Sequence, residues 1–150
     1  MLLSCPPYAD LELYSDHPAD ISNMDYPEFL AAYRQIIAAS CAKLKENRFA
    51  VWVIGEVRGP DGSCRGLVQD TVAAFRDAVL SLYNDAILVT AVGSLPLRAG
   101  KQFTCSRKMG RTHQYVFVFV KGDARQATAD CGPVEIGDLG GLDGANEIPA

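Results

Sequence analysis

With 150 residues, 49% of them apolar and 21% charged, the chain has the size and composition of one globular domain with its own core. No apolar stretch approaches the length of a membrane span, and no basic residue precedes Leu2 and Leu3 as in a signal peptide, so a cytoplasmic protein without a membrane partner is expected. A net charge of −4 argues against a free-standing basic nucleic-acid binder, and five scattered cysteines with no C-x-x-C pair argue against a disulfide framework or a structural zinc site.

The apolar start Met1-Leu2-Leu3 reads as the end of a buried strand, because Pro6 and Pro7 fix φ, supply no N–H and stop a ladder. Ser4-Cys5-Pro6-Pro7-Tyr8 is then a stiff loop whose Cys5 and Pro6 carbonyls have no strand to pair with and lie beside the Tyr8 ring. Stiff acceptors next to an aromatic face suit a flat molecule that bears an amino group; a plain strand end with a surface tyrosine is the simpler alternative. Residues 9–24 carry Asp10, Glu12, Asp16, His17 and Asp20 in a spacing that matches no metal-ligand pattern. No metal is expected, and the stretch reads as an ordered, solvated loop over the site with Leu11, Leu13 and Tyr14 turned inward.

Asp25 as N-cap, Pro27 in the first turn and Glu28 at the capping-box position predict a helix over 27–46, with Phe29, Tyr33, Ile36, Ile37, Cys41 and Leu44 on its apolar stripe. Residues 49–54 form a continuous β-prone apolar run, which predicts a strand covered on both faces. After a turn at Pro60-Asp61-Gly62-Ser63, Leu67 to Leu82 carries a second helical stripe, 86–92 reads as a third buried strand and 115–120 as a fourth. The connection 93–114 is long for a compact domain, which marks it as functional or mobile. It holds Arg98, Lys101, Arg107, Lys108 and Arg111 with no acid among them, a content suited to a phosphate backbone, although a merely solvated loop is the alternative. Residues 124–150 are rich in Gly and Asp and are expected to be a mostly disordered tail. Within them G-D-L-G-G-L-D-G lacks the strand before and the helix after that a cofactor loop needs.

In order along the chain stand S-C-P-P-Y-A-D-L-E-L-Y-S-D, R-F-A-V-W-V-I-G-E-V-R, A-I-L-V-T-A-V-G-S-L-P-L-R-A-G-K-Q-F and S-R-K-M-G-R-T-H-Q-Y-V-F-V-F-V-K-G-D. Together these blocks resemble the C-terminal half of DNA amino-methyltransferases of the phage and prophage type. The resemblance implies an α/β fold with a partial Rossmann-like methyltransferase sheet, mostly parallel with an antiparallel last strand, and helices packed on it. It implies a catalytic half-domain over 1–123, transfer of a methyl group from S-adenosylmethionine to adenine N6 or cytosine N4, and double-stranded DNA as the partner. Ser4, Cys5, Pro6, Pro7 and Tyr8 would form the catalytic loop, with Cys5 and Pro6 also touching the cofactor.

Two departures stand out. The first loop position of the family is usually Asp, Asn or Ser, and here it is Cys5, a weaker acceptor. The glycine-rich cofactor loop is expected upstream of P-P-Y, where this sequence has only Met1 to Cys5. A cofactor-binding segment or subunit elsewhere is therefore expected, and a homo-oligomer is a further option for covering the first strand.

In the implied chemistry the base leaves the duplex, its amino group donates to the Cys5 or Pro6 carbonyl and to Ser4 or Cys5, and Tyr8 stacks on the ring. Positioning then supplies much of the rate. Cys5 as a nucleophile, with His113 or His17 as its base, is a competing reading. So is a non-catalytic partner or remnant; otherwise His113 would simply orient the loop at the start of the last strand.

Overall fold

The computed structural model describes residues 1–93 and 95–134. Its elements run β1 (Leu2–Ser4), α1 (Tyr26–Lys43), β2 (Arg48–Ile54), α2 (Leu67–Asp77), β3 (Ser81–Val89), α3 (Leu95–Ser106), β4 (His113–Lys121) and α4 (Ala124–Cys131). Two short 3-10 turns, Ala9–Leu11 and Ile21–Asn23, lie between β1 and α1.

The strands form one sheet in the order β1-β2-β4-β3. β1 pairs with β2 in parallel, whereas β4 enters between β2 and β3 and runs antiparallel to both. The last strand is thus antiparallel to its neighbours, as expected. The expectation of a mostly parallel sheet is corrected: the sheet is mixed, because the final strand is inserted between two others and turns both of its ladders antiparallel.

The core lies between one sheet face and the α1–α2 pair. Asp25 accepts the Glu28 N–H at 3.0 Å and starts α1, and Phe29, Tyr33, Ile37 and Cys41 are its buried stripe. Ile36 belongs to the solvent side and is 44% exposed. Ala50, Trp52 and Ile54 of β2 meet this layer together with Phe117 and Phe119 of β4 and Phe75 of α2. A buried chain of hydrogen bonds ties sheet to helices: Trp52 Nε1 donates to Tyr33 Oη at 2.7 Å, Tyr33 Oη lies 2.9 Å from Thr71 Oγ1, and Thr71 Oγ1 donates to the Leu67 carbonyl.

On the opposite face, Val51, Val53, Val116 and Val118 are only half-buried, and α4 covers that face at one end, over Phe49 and Val118. The reading of β2 as covered on both faces therefore holds for one face among the described residues.

Two further expectations change. Helix α2 stops at Asp77 rather than running to Leu82, because Val79 turns to φ 65° and the chain enters β3 at Ser81. The strand expected as buried over 86–92 is an exposed edge strand over Ser81–Val89, beyond the cover of α2. After β4, Ala124–Cys131 forms α4: Asp123 accepts the Gln126 N–H at 2.8 Å, and Arg48 pairs with Asp130. The glycine motif over 137–144 lies outside the described residues.

Candidate active site

The site grows from the end of β1. Leu2, Leu3 and Ser4 pair with Ala50, Val51 and Trp52, and the ladder ends where Pro6 and Pro7 follow. The chain then turns sharply, with Tyr8 at φ −98° and buried Ala9 in the left-handed region at φ 54°. This turn lays the Tyr8 ring across Gly55, the residue after β2. A Cβ at Gly55 would sit 2.9 Å from Tyr8 Cε2, so only glycine leaves the ring its place.

Asp10 locks the loop from its far side. Arg65 donates through both Nη1 and Nη2 to the Asp10 carboxylate, at 2.9 and 3.1 Å, and its guanidinium lies 4.7 Å over the Tyr26 ring. Such a two-pronged pair fixes orientation as well as distance.

Beside the loop is an open concavity of about 310 Å³, lined by Cys5, Pro6, Tyr8, Leu11, Glu12, Tyr14 and Gln114. Of the loop residues expected in the site, Cys5, Pro6 and Tyr8 line it. Ser4 remains in the β1 ladder opposite Trp52, and Pro7 does not reach the cavity wall. Leu11, Leu13 and Tyr14 are not turned into the core but are 63%, 75% and 64% exposed, and Leu11 and Tyr14 form the cavity rim.

Burial raises the Tyr8 phenol above its ordinary range; the Cys5 thiol and Tyr14 add to this and the Gln114 side chain opposes it. Gln114, in the second position of β4, was invisible to motif reading because it comes from the other end of the chain. Its amide both donates and accepts from a rigid strand.

The loop over the site is held by its own polar groups. Asp20 accepts from the N–H and Oγ of Ser22 and from Ser15 Oγ, and Asn23 donates to the carbonyls of Ser15 and His17. His17 Nδ1 accepts the Ala19 N–H at 3.0 Å, and neither His17 nor His113 lines the cavity. A histidine base for Cys5 thus has no place in this arrangement. His113 opens β4, its ring edge-on to Tyr115 at 5.5 Å.

Residues 55–66 form the glycine-bearing strand-to-helix turn from β2 to α2. Its helix N-terminus is already filled: the Glu56 carboxylate accepts from the N–H groups of Gly66 and Leu67 at 3.0 and 3.1 Å. An anionic ligand would compete there with a carboxylate of the chain itself.

Of the basic residues in the β3–β4 connection, Arg98 and Lys101 lie on α3, Arg107 follows it with its guanidinium 5.4 Å over Phe103, and all three are exposed. Lys108 lies against Gly62, and Arg111 donates to the Glu56 carbonyl at 3.0 Å and to Cys64 Sγ at 3.1 Å. The last two brace the connection against the β2–α2 turn.

This is an α/β arrangement with a loop at the C-terminal end of a parallel strand facing an open cavity. It is similar in fold to TTHA0409 of Thermus thermophilus, provisionally assigned as a DNA modification methylase. The selenomethionine form of that protein aligns with a TM-score of 0.56 at 17% identity, over 81% of this chain and 44% of the other. Its complex with S-adenosyl-L-methionine aligns with a TM-score of 0.55 at 17% identity, over 81% of this chain and 46% of the other. The chain therefore spans less than half the length of the structures it matches. No family model and no curated protein matches it. No helix among the described residues is long and apolar enough to cross a membrane.

Proposed function

We propose that this chain provides the base-binding, catalytic half of an S-adenosylmethionine-dependent DNA amino-methyltransferase acting on adenine N6 or cytosine N4. The observation that carries the reading is the Cys5-Pro6-Pro7-Tyr8 loop, placed between Gly55 and the Arg65–Asp10 pair, with its ring, Cys5 and Pro6 on one cavity. The fold it shares with a methylase supports the reading.

In this reading a base enters the cavity from the duplex, at an unstacking cost of a few kcal/mol. Tyr8 stacks on its ring. The carbonyls of Cys5 and Pro6 accept the amino protons and hold the nitrogen lone pair outward, and Gln114 faces the ring edge. S-adenosylmethionine supplies an electrophilic methyl group when bound. Cys5 and Pro6 border the side that would face it, and the rest of its site comes from another segment or subunit, since the turn at Glu56 is filled. Arg98, Lys101 and Arg107 face the DNA, with Lys108 and Arg111 behind them.

A second reading, a non-catalytic partner of a cofactor-binding subunit, is favoured by the α2 N-terminus, which the Glu56 carboxylate already fills. The two are separated by expressing the chain with its adjacent reading frames in a host free of methylated exocyclic amines and analysing the DNA nucleosides by mass spectrometry. N6-methyladenine or N4-methylcytosine is expected, and Tyr8→Ala should abolish it. Methylation that survives Tyr8→Ala would favour the second reading, and 5-methylcytosine or no product would contradict the first.

A further inference from the structure

Helix α3 stands apart from the rest of the fold. It has 12 residues and none is buried; Leu95 and Ala99 alone are half-buried. At 100° per residue, Leu95, Ala99 and Phe103 share one side. Lys101 and Arg98 point to the other, with Leu97, Thr104 and Cys105 around them. The inner side folds back on the return segment, where a Cβ at Gly110 would collide with Leu95.

Its place in the fold is equally specific. α3 leaves the C-terminal end of β3 and leads into β4, whose second residue, Gln114, forms part of the cavity wall. It therefore projects from the sheet end that carries the Cys5–Tyr8 loop. No acidic residue occurs between Leu95 and Arg111, and among the described residues Arg98, Lys101 and Arg107 take part in no ion pair.

We infer that α3 is the element with which this chain reads DNA sequence: its outward face, Arg98, Lys101 and Thr104, enters the major groove beside the flipped base, and Arg107 holds a flanking phosphate. The inference rests on the DNA reading given above and deepens it. A helix of this length spans about 18 Å, and its width suits a major groove about 12 Å across. Of the large apolar side chains on the helix, Leu95 is turned inward, Phe103 is 48% exposed beneath the Arg107 guanidinium, and Leu97 is exposed beside Arg98 and Lys101. The face left outward is cationic and therefore complementary to a polyanion. Arginine and threonine are also groups that discriminate base edges, guanine O6 and N7 being the usual arginine target.

The test is selection of the full chain on a random-sequence duplex library, with binding of the selected duplex measured across a salt series and against a single-stranded RNA competitor. The wild-type chain should enrich a defined motif. Arg98→Ala and Lys101→Ala should each flatten preference at one or two positions, with loss of roughly tenfold or more in discrimination there. Arg107→Ala should keep the motif and lower the salt slope by roughly 0.9. Arg125→Ala, on α4 after the opposite end of β4, should change neither.

An unchanged motif in both Arg98→Ala and Lys101→Ala, no enrichment by the wild-type chain, or preference for the RNA competitor would each overturn the inference. Selective DNA binding without any methylated amine would remove the catalytic reading and leave α3 standing. Methylated product with an unchanged motif in both variants would do the reverse.

Discussion

The Tyr8 ring lies on Gly55 so closely that a Cβ there would stand 2.9 Å from Tyr8 Cε2. This contact sets how far the loop stands from the sheet and therefore where a stacked base can sit. Gly55→Ala should displace the ring, cost about 1–3 kcal/mol by overpacking, and reduce methyl transfer more than tenfold, about 1.4 kcal/mol or more in the barrier. Tyr8→Ala in the same background should recover most of the stability but none of the activity. Thermal denaturation of both single variants and the double variant checks this, and additive losses would disprove the contact.

The pair between Arg65 and Asp10 should act on the loop rather than on the whole domain. The Arg65 side chain is 12% exposed while Asp10 is 54% exposed, so solvent screening limits the pair to about 1 kcal/mol of stability. Arg65→Lys keeps the charge but loses the fork. Amide exchange in 5–14 should then accelerate several-fold while the midpoint of unfolding moves by only a few degrees. A uniform rise in exchange across α1 and the sheet would show a general structural role instead.

Tyr33 links Trp52 to Thr71, and Tyr33→Phe should leave the buried indole N–H without a partner, at a cost of about 1–3 kcal/mol. Burial pushes the Tyr33 phenol up to about 12, against the opposing hydrogen bonds with Thr71 and Trp52. The folded state thus keeps a proton that the unfolded phenol releases near its usual value of about 10. Its contribution is full below that value and declines as pH rises from about 10 to about 12, by up to about 1.4 kcal/mol per pH unit. Tyr26, raised to about 12 chiefly by burial and then by Asp70, acts in the same direction, so Tyr33→Phe should reduce the alkaline slope without removing it. An unchanged slope in denaturant titrations between those pH values would contradict this.

How much of this was legible in the sequence depends on the range of the interactions. The start of α1 could be read because its signal, Asp25 with Glu28, is local and the cap forms as expected. The end of α2 could not: Phe75, Val79 and Leu82 fall at helical spacing, yet Val79 takes φ 65° and Leu82 belongs to the next strand. Helix α3 was hidden by Pro96 and Gly100, which made its segment look like loop, and by the lack of acidic partners for its bases. The cavity was half legible. Cys5, Pro6 and Tyr8 announce themselves by adjacent proline and tyrosine, whereas Gln114 reaches them only because Gly55 lets Tyr8 lie across the sheet.

The chain by itself should bind S-adenosylmethionine weakly, because Cys5 and Pro6 would meet the cofactor on one side and the α2 N-terminus is held by Glu56. Calorimetric titration should give a Kd weaker than about 10 μM, near −7 kcal/mol. Tighter binding would place the whole cofactor site within this chain.

The central claim, that the cavity beside Tyr8 accepts a base with an exocyclic amine, is tested most directly by NMR titration of the ring-labelled chain with nucleoside monophosphates. Adenosine and cytidine monophosphates should shift the Tyr8 ring resonances upfield by stacking, thymidine monophosphate should not, and Tyr8→Ala should abolish the binding. Equal shifts with all three nucleotides, or shifts that leave Tyr8 untouched, would contradict the account.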